Sequence, residues 1–140
     1  MPNLKTYDLF ISHAWKYGDD YDRLVALLDS ALYFSYRNYS APKDKPIAAP
    51  WERLSKADLR AHLERKIRPV NAVLVISGMY YSYHEWMQME LDTARDYDKP
   101  VIAIRPRGNA FIPAEVNKAA CSVVNWNTYS IVEAIRNHAI

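Results

Sequence analysis

Ala72-Val73-Leu74-Val75-Ile76-Ser77 decides the fold: it is a near-continuous apolar run, rich in β-branched residues, that does not alternate with polar ones. A strand with one wet face alternates. A strand buried on both faces reads as this one does, and such strands belong to parallel sheets covered by helices. Tyr7-Asp8-Leu9-Phe10-Ile11-Ser12 and Val101-Ile102-Ala103-Ile104-Arg105 have the same character, and Ser35 to Tyr39 and Ser122 to Trp126 are weaker candidates of the same kind.

Helical patterns fill the intervals. Tyr21, Leu24, Val25, Leu28, Ala31 and Leu32 recur at three- and four-residue spacing behind Asp19 and Asp20, either of which can cap a first turn. Ser55 and Asp58 resemble a capping box, Leu54 and Leu59 are placed to staple it, and Leu59, Leu63 and Ile67 continue one face until Pro69 stops it. A third helix is expected from about His84 to Tyr97, and a fourth from about Thr128 to His138 with Val132 and Ile135 inward. The order is β-α-β-α-β-α-β-loop-β-α. Such alternation, with right-handed crossovers, predicts an α/β, flavodoxin-like three-layer sandwich around a five-stranded parallel sheet, as a single domain over residues 1–140. In such a sheet ligands bind beyond the carboxyl ends of the strands, so the residues after Ile11, Asn38, Ile76 and Ile104 are the ones to watch. Ser40 to Leu54, with Pro42, Pro46 and Pro50 and no periodicity, reads as a long functional loop.

Composition narrows the function. The chain has 140 residues, 50% apolar and 24% charged, which is enough to bury a core without disulfides or metal. Its 18 Lys and Arg against 16 Asp and Glu give a net charge of +2, with no block of like charges, so nucleic acid is not an expected partner. The single cysteine, Cys121, excludes an internal disulfide and suits a reducing cytoplasm; its expected role is that of a small buried apolar side chain. Neither a secretory leader nor a run long enough for a membrane helix is visible, so no membrane association is expected. Gly18, Gly78 and Gly108 are the only glycines, which rules out a G-x-G-x-x-G or Walker A phosphate cradle. A phosphorelay receiver would need an acceptor Asp where Ser77 and Gly78 stand, and His13, His62, His84 and His138 show no zinc-like spacing, so no metal is expected.

One constellation remains. On a helical wheel the third helix places Trp86, Met87, Ala94 and Tyr97 on an apolar arc, with Gln88, Asp92, Arg95 and Asp96 opposite, and Glu90 falls inside the apolar arc. A carboxylate there needs a partner or a task. Glu90 either snorkels out, pairs with Arg23, Arg37 or Arg105, or does chemistry. Tyr80, Tyr81, Tyr83 and Trp86 gather after the third strand, and Ser12, His13 and Trp15 arrive from the first. Aromatic faces beside a carboxylate and hydroxyls suit a flat, sugar-bearing ligand such as a nucleotide.

These residues carry a resemblance. Tyr7-Asp8-Leu9-Phe10-Ile11-Ser12-His13-Ala14 is similar to the first-strand motif of TIR domains, and Ser77 followed by Trp86-Met87-Gln88-Met89-Glu90-Leu91 resembles their W-x-x-x-E motif. Asn38 to Pro42, Lys99 to Ile102 and Val124 to Asn127 are similar to the bacterial TIR-like group of Thoeris antiphage systems, the ThsB-like group. The resemblance implies cleavage of the bond between nicotinamide and ribose in NAD, which is the substrate rather than a cofactor. It carries the catalytic role to Glu90 and substrate contacts to Phe10, Ser12, His13, Ala14, Tyr39, Ser40, Ser77, Tyr83 and Trp86. Tyr39 to about Pro50 takes the place of the loop that covers the site and mediates assembly, which implies a homo-oligomer on activation. The implied product is an ADP-ribose-derived signal, cyclic by preference, read by a separate effector protein. A non-catalytic interaction module and an NAD-binding sensor are the alternative readings.

Overall fold

A computed structural model gives the fold and describes residues 5–12, 18–39, 56–76, 84–105 and 114–140. In chain order the elements are β1 (Thr6–Ile11), α1 (Gly18–Asp29), β2 (Ser35–Asn38), α2 (Lys56–Ile67), β3 (Ala72–Ile76), α3 (His84–Asp96), β4 (Val101–Ile104), α4 (Ala114–Ala119), β5 (Ser122–Val124) and α5 (Thr128–His138). The strands form one parallel sheet in the order β2-β1-β3-β4-β5. That is the flavodoxin-like order, and the expected three-layer α/β sandwich is the one observed.

The three apolar runs sit in the middle of the sheet, as two-faced burial requires. Leu9, Ile11, Leu74, Ile76, Ile102 and Ile104 are fully buried, in registers that set Leu9 beside Ala72, Ile11 beside Leu74 and Ile76 beside Ile104. α1 and α5 pack together as one outer layer; α2, α3 and α4 form the other. Leu24 and Leu28, Leu63 and Ile67, Met87 and Leu91, and Ile131 and Ile135 press inward from their helices, each side chain contributing about 1.5–3 kcal/mol by leaving water.

Several boundaries differ from the sequence reading. α1 stops at Asp29, so the apolar period running on to Leu32 is not helical, and Leu32 is 81% exposed. The reversal that follows needs Tyr33 in the left-handed region, at φ 58°, which the apolar spacing does not signal. Asp19 and Asp20 lie inside the first turn of α1 rather than before it. Ser55 and Leu54, offered as cap and staple of α2, lie outside the described residues, as does the proline-rich segment 40–54. The connection between β4 and β5, expected to be a loop, contains α4, a short helix held by Val116 alone among its buried residues. β5 ends at Val124 instead of Trp126 because the chain must turn there: Asn127 caps α5, its side chain accepting from the Ser130 amide at 2.8 Å.

A knot of hydrogen bonds closes the amino ends of the two central strands. Asn71 donates its amide to the Asp8 carbonyl at 2.6 Å and accepts the Asp8 amide on Oδ1 at 2.7 Å. Its Nδ2 donates to the Ile140 carbonyl at 2.7 Å, and its own carbonyl accepts the Ile140 amide at 3.1 Å. One residue thereby ties β1, the entry to β3 and the chain just beyond α5 together.

Candidate functional site

In a sheet of this order the chain leaves β1 and β3 in opposite directions, and the gap between their carboxyl ends is where a ligand can approach without crossing a connection. Ser12 stands there. It follows β1 directly, is fully buried, and its amide donates to the Leu74 carbonyl at 2.8 Å, extending the β1–β3 ladder by one rung. With its main chain so fixed, its hydroxyl donates to Oε1 of Glu90.

Glu90 arrives from α3. Met87, Glu90, Leu91 and Ala94 occupy consecutive turns of one face, and all are buried, Glu90 to 1% exposure. The snorkelling alternative is therefore overturned. So are two of the suggested pairings: Arg37 is engaged with Asp8 at 2.6 Å and Arg105 donates to Asn125 at 3.1 Å. A hydrogen bond to an ionised carboxyl is worth about 1.5–3 kcal/mol, which offsets part of the desolvation such a position imposes. The outer side of the same helix is polar as expected, with Gln88 donating to Asp92 at 2.9 Å. Thr93, fully buried one turn beyond Glu90, satisfies its hydroxyl on the Met89 carbonyl at 2.8 Å.

Tyr39 sits just past β2, half-buried, its amide donating to the Leu9 carbonyl at 2.8 Å, so it lies beside the end of β1. Phe10 is 3% exposed within β1, opposite Val73, and belongs to the core. His13, Ala14, Ser40, Ser77 and Tyr83 lie outside the described residues, and of Trp86 only its place in α3 is described. The structure thus brings Ser12, Glu90 and Tyr39 to one end of the sheet. The Ser12–Glu90 contact had no signal in the sequence, because it joins residues 78 positions apart.

Other features lie away from this point. A cleft of about 480 Å³ opens between α3 and α4, lined by Gln88, Asp92, Arg95, Glu115 and Lys118 and reaching Val101 at the start of β4. It borders the amino end of that strand, the wrong end for an α/β site, and its charges alternate in sign, so it ranks behind the buried carboxyl despite its size. Tyr97, placed on the apolar arc by the wheel, is half-buried and donates to Glu64 at 2.6 Å, joining α3 to α2; that hydrogen bond raises its phenol above the ordinary value. Cys121 is exposed, which corrects the expectation of a buried thiol, since it sits in the bend before β5; partial burial still pushes the thiol upward. Among the described residues, no helix is long and apolar enough to cross a membrane, and no three His, Cys, Asp or Glu side chains converge as metal ligands would.

The family model of the TIR-like domain of the Thoeris protein ThsB matches residues 10–110, a span holding both Ser12 and Glu90. The chain belongs to that family. No curated protein matches the chain. In this TIR-like domain the match begins inside β1 and runs past β4, so it covers the carboxyl end of β1, all of β3 and the helix that carries the carboxyl.

Proposed function

We propose that this TIR-like domain cleaves NAD in antiphage defence, releasing nicotinamide and making an ADP-ribose-derived, cyclic signal for a separate effector protein. The observation that carries the reading is the Glu90 carboxyl, buried at the β1–β3 gap in the grip of Ser12. The chemistry asks for little more. The bond from the ribosyl carbon to the nicotinamide nitrogen breaks, and its electron pair neutralises the cationic ring, so no general acid is needed. A ribosyl oxocarbenium ion develops, and one carboxylate set beside it lowers its energy, the more so in a site shielded from water. Attack by an adenine nitrogen or a hydroxyl of the same molecule, with loss of any proton the nucleophile carries, closes the cyclic product; attack by water gives ADP-ribose.

The proposed substrate contacts are His13, Ala14, Tyr39, Ser40, Ser77, Tyr83 and Trp86, while Phe10 packs in the core and Ser12 holds Glu90. Because Glu90 is covered in this state, the substrate gains access through a rearrangement that accompanies homo-oligomerisation in the cytoplasm. Mass spectrometry of concentrated, crowded protein incubated with NAD tests this. Wild type should release nicotinamide with a cyclic or linear ADP-ribose product, and Glu90→Gln should fall by at least about a hundredfold, the scale of one lost electrostatic stabiliser. Equal turnover in the two proteins would refute the assignment.

A further inference from the structure

Ser12 lies in the first-strand motif and has no exposed surface, yet its hydroxyl is committed to Glu90 and its amide to Leu74. A residue with no exposed surface, its hydroxyl and its amide both engaged, is poorly placed to be a substrate contact. It is well placed to hold something else still. The hydroxyl donor is neutral, so it satisfies one carboxylate lone pair without cancelling the charge, as a guanidinium or ammonium would. Its own position is set by the β1–β3 ladder inside the buried sheet, so it transfers the register of the sheet to a carboxyl that arrives from a separate layer.

From this we infer that Ser12 is a positioning residue: its hydroxyl fixes the Glu90 carboxyl at the β1–β3 gap and acts on the reaction through Glu90 rather than by touching the dinucleotide. The inference rests on the NAD-cleaving reading. It separates presentation of the carboxyl from binding of the substrate, and the two have different kinetic signatures. A lost positioning group lowers kcat and leaves substrate affinity in place; a lost contact raises KM.

The test uses Ser12→Ala, Ser12→Thr, Glu90→Gln and the double variant Ser12→Ala/Glu90→Gln, with NAD turnover measured in crowded solution and binding measured with a non-cleavable carbocyclic NAD analogue. Ser12→Ala should bind the analogue within about threefold of wild type while kcat falls about 10- to 100-fold, the scale on which a misplaced catalytic group costs rate. Ser12→Thr, which keeps the hydroxyl, should recover most of that loss. The double variant should be no slower than Glu90→Gln alone, because a group that acts only through Glu90 has nothing left to position. Weaker analogue binding with kcat intact would make Ser12 a substrate contact and overturn the inference. So would an unchanged or raised kcat in Ser12→Ala, or a double variant slower than Glu90→Gln. Wild type that leaves NAD intact would instead defeat the NAD-cleaving reading, and this inference with it, an outcome distinct from wild type and Ser12→Ala turning over alike.

Discussion

Replacing Asn71 by alanine removes a side chain that fastens β1, β3 and the chain just beyond α5 at the amino end of the sheet. Two hydrogen bonds disappear, the Asp8 amide to Oδ1 and Nδ2 to the Ile140 carbonyl, both 2.7 Å long. Each is worth about 1 kcal/mol net, and the part-buried Asp8 amide loses its acceptor at a further cost of up to about 1 kcal/mol, so the loss should total about 2–3 kcal/mol. Unfolding entropy scales at about 2.1 cal/mol/K per residue, which for 140 residues converts that loss to a fall of about 7–10 °C in thermal midpoint. Circular dichroism melts and urea denaturation should both report it, with an unchanged urea slope. Asn71→Asp should recover only part of the loss, since it keeps an acceptor for Asp8 but turns the donor facing Ile140 into a second acceptor. Ser12 lies four residues beyond Asp8, about 13 Å along an extended strand, so turnover per folded molecule should stay at the wild-type level. A midpoint within about 2 °C of wild type would show that these bonds contribute little and place the register of β1 in the apolar contacts alone.

Other outcomes follow from single contacts. The phenol of Tyr97 should titrate above its ordinary value of 10.0 because Glu64 holds its proton, as read by ultraviolet difference titration of wild type against Tyr97→Phe. The stability that this bond contributes is present in full below the ordinary value and is lost as pH rises through the raised one; Glu64→Gln should bring the titration back down. Cys121, although exposed, should alkylate at neutral pH more slowly than a free thiol such as glutathione, because partial burial keeps it protonated, and mass-spectrometric labelling rates would show otherwise if it were a reactive site. Together with the Glu90→Gln and Ser12 series, these separate the carboxyl's chemistry from the scaffold that holds it.

The central strands were legible because two-faced burial leaves an unbroken apolar run, as in Ala72 to Ile76, and no other element writes that signature so briefly. The inward placement of Glu90 was legible for a similar reason, since its spacing from Met87 and Ala94 fixes its side of the helix. What periodicity could not mark were its own ends. The apolar rhythm ran past Asp29 to Leu32, but the helix stops at Asp29 and the chain then reverses through a left-handed Tyr33, a backbone event without a sequence period. α4 escaped notice because six residues with one buried valine make no stripe. The bond from Ser12 to Glu90 escaped because a hydrogen bond across 78 positions is a property of the sheet order, which local pattern does not encode.

The sheet order also dictates when the site comes into being. β1 is flanked by β2, which follows it closely, and by β3, whose first partner pair joins Leu9 to Ala72; Glu90 is translated later still. Long-range parallel pairings form slowly, and a growing chain folds only what has emerged. A polypeptide cut short before α3, whether by a stalled ribosome or a protease, therefore carries an open-sided sheet and no carboxyl. For a chain proposed to consume a dinucleotide that its own cell depends on, this is a safeguard written into topology: no copy that stops short of α3 can be armed.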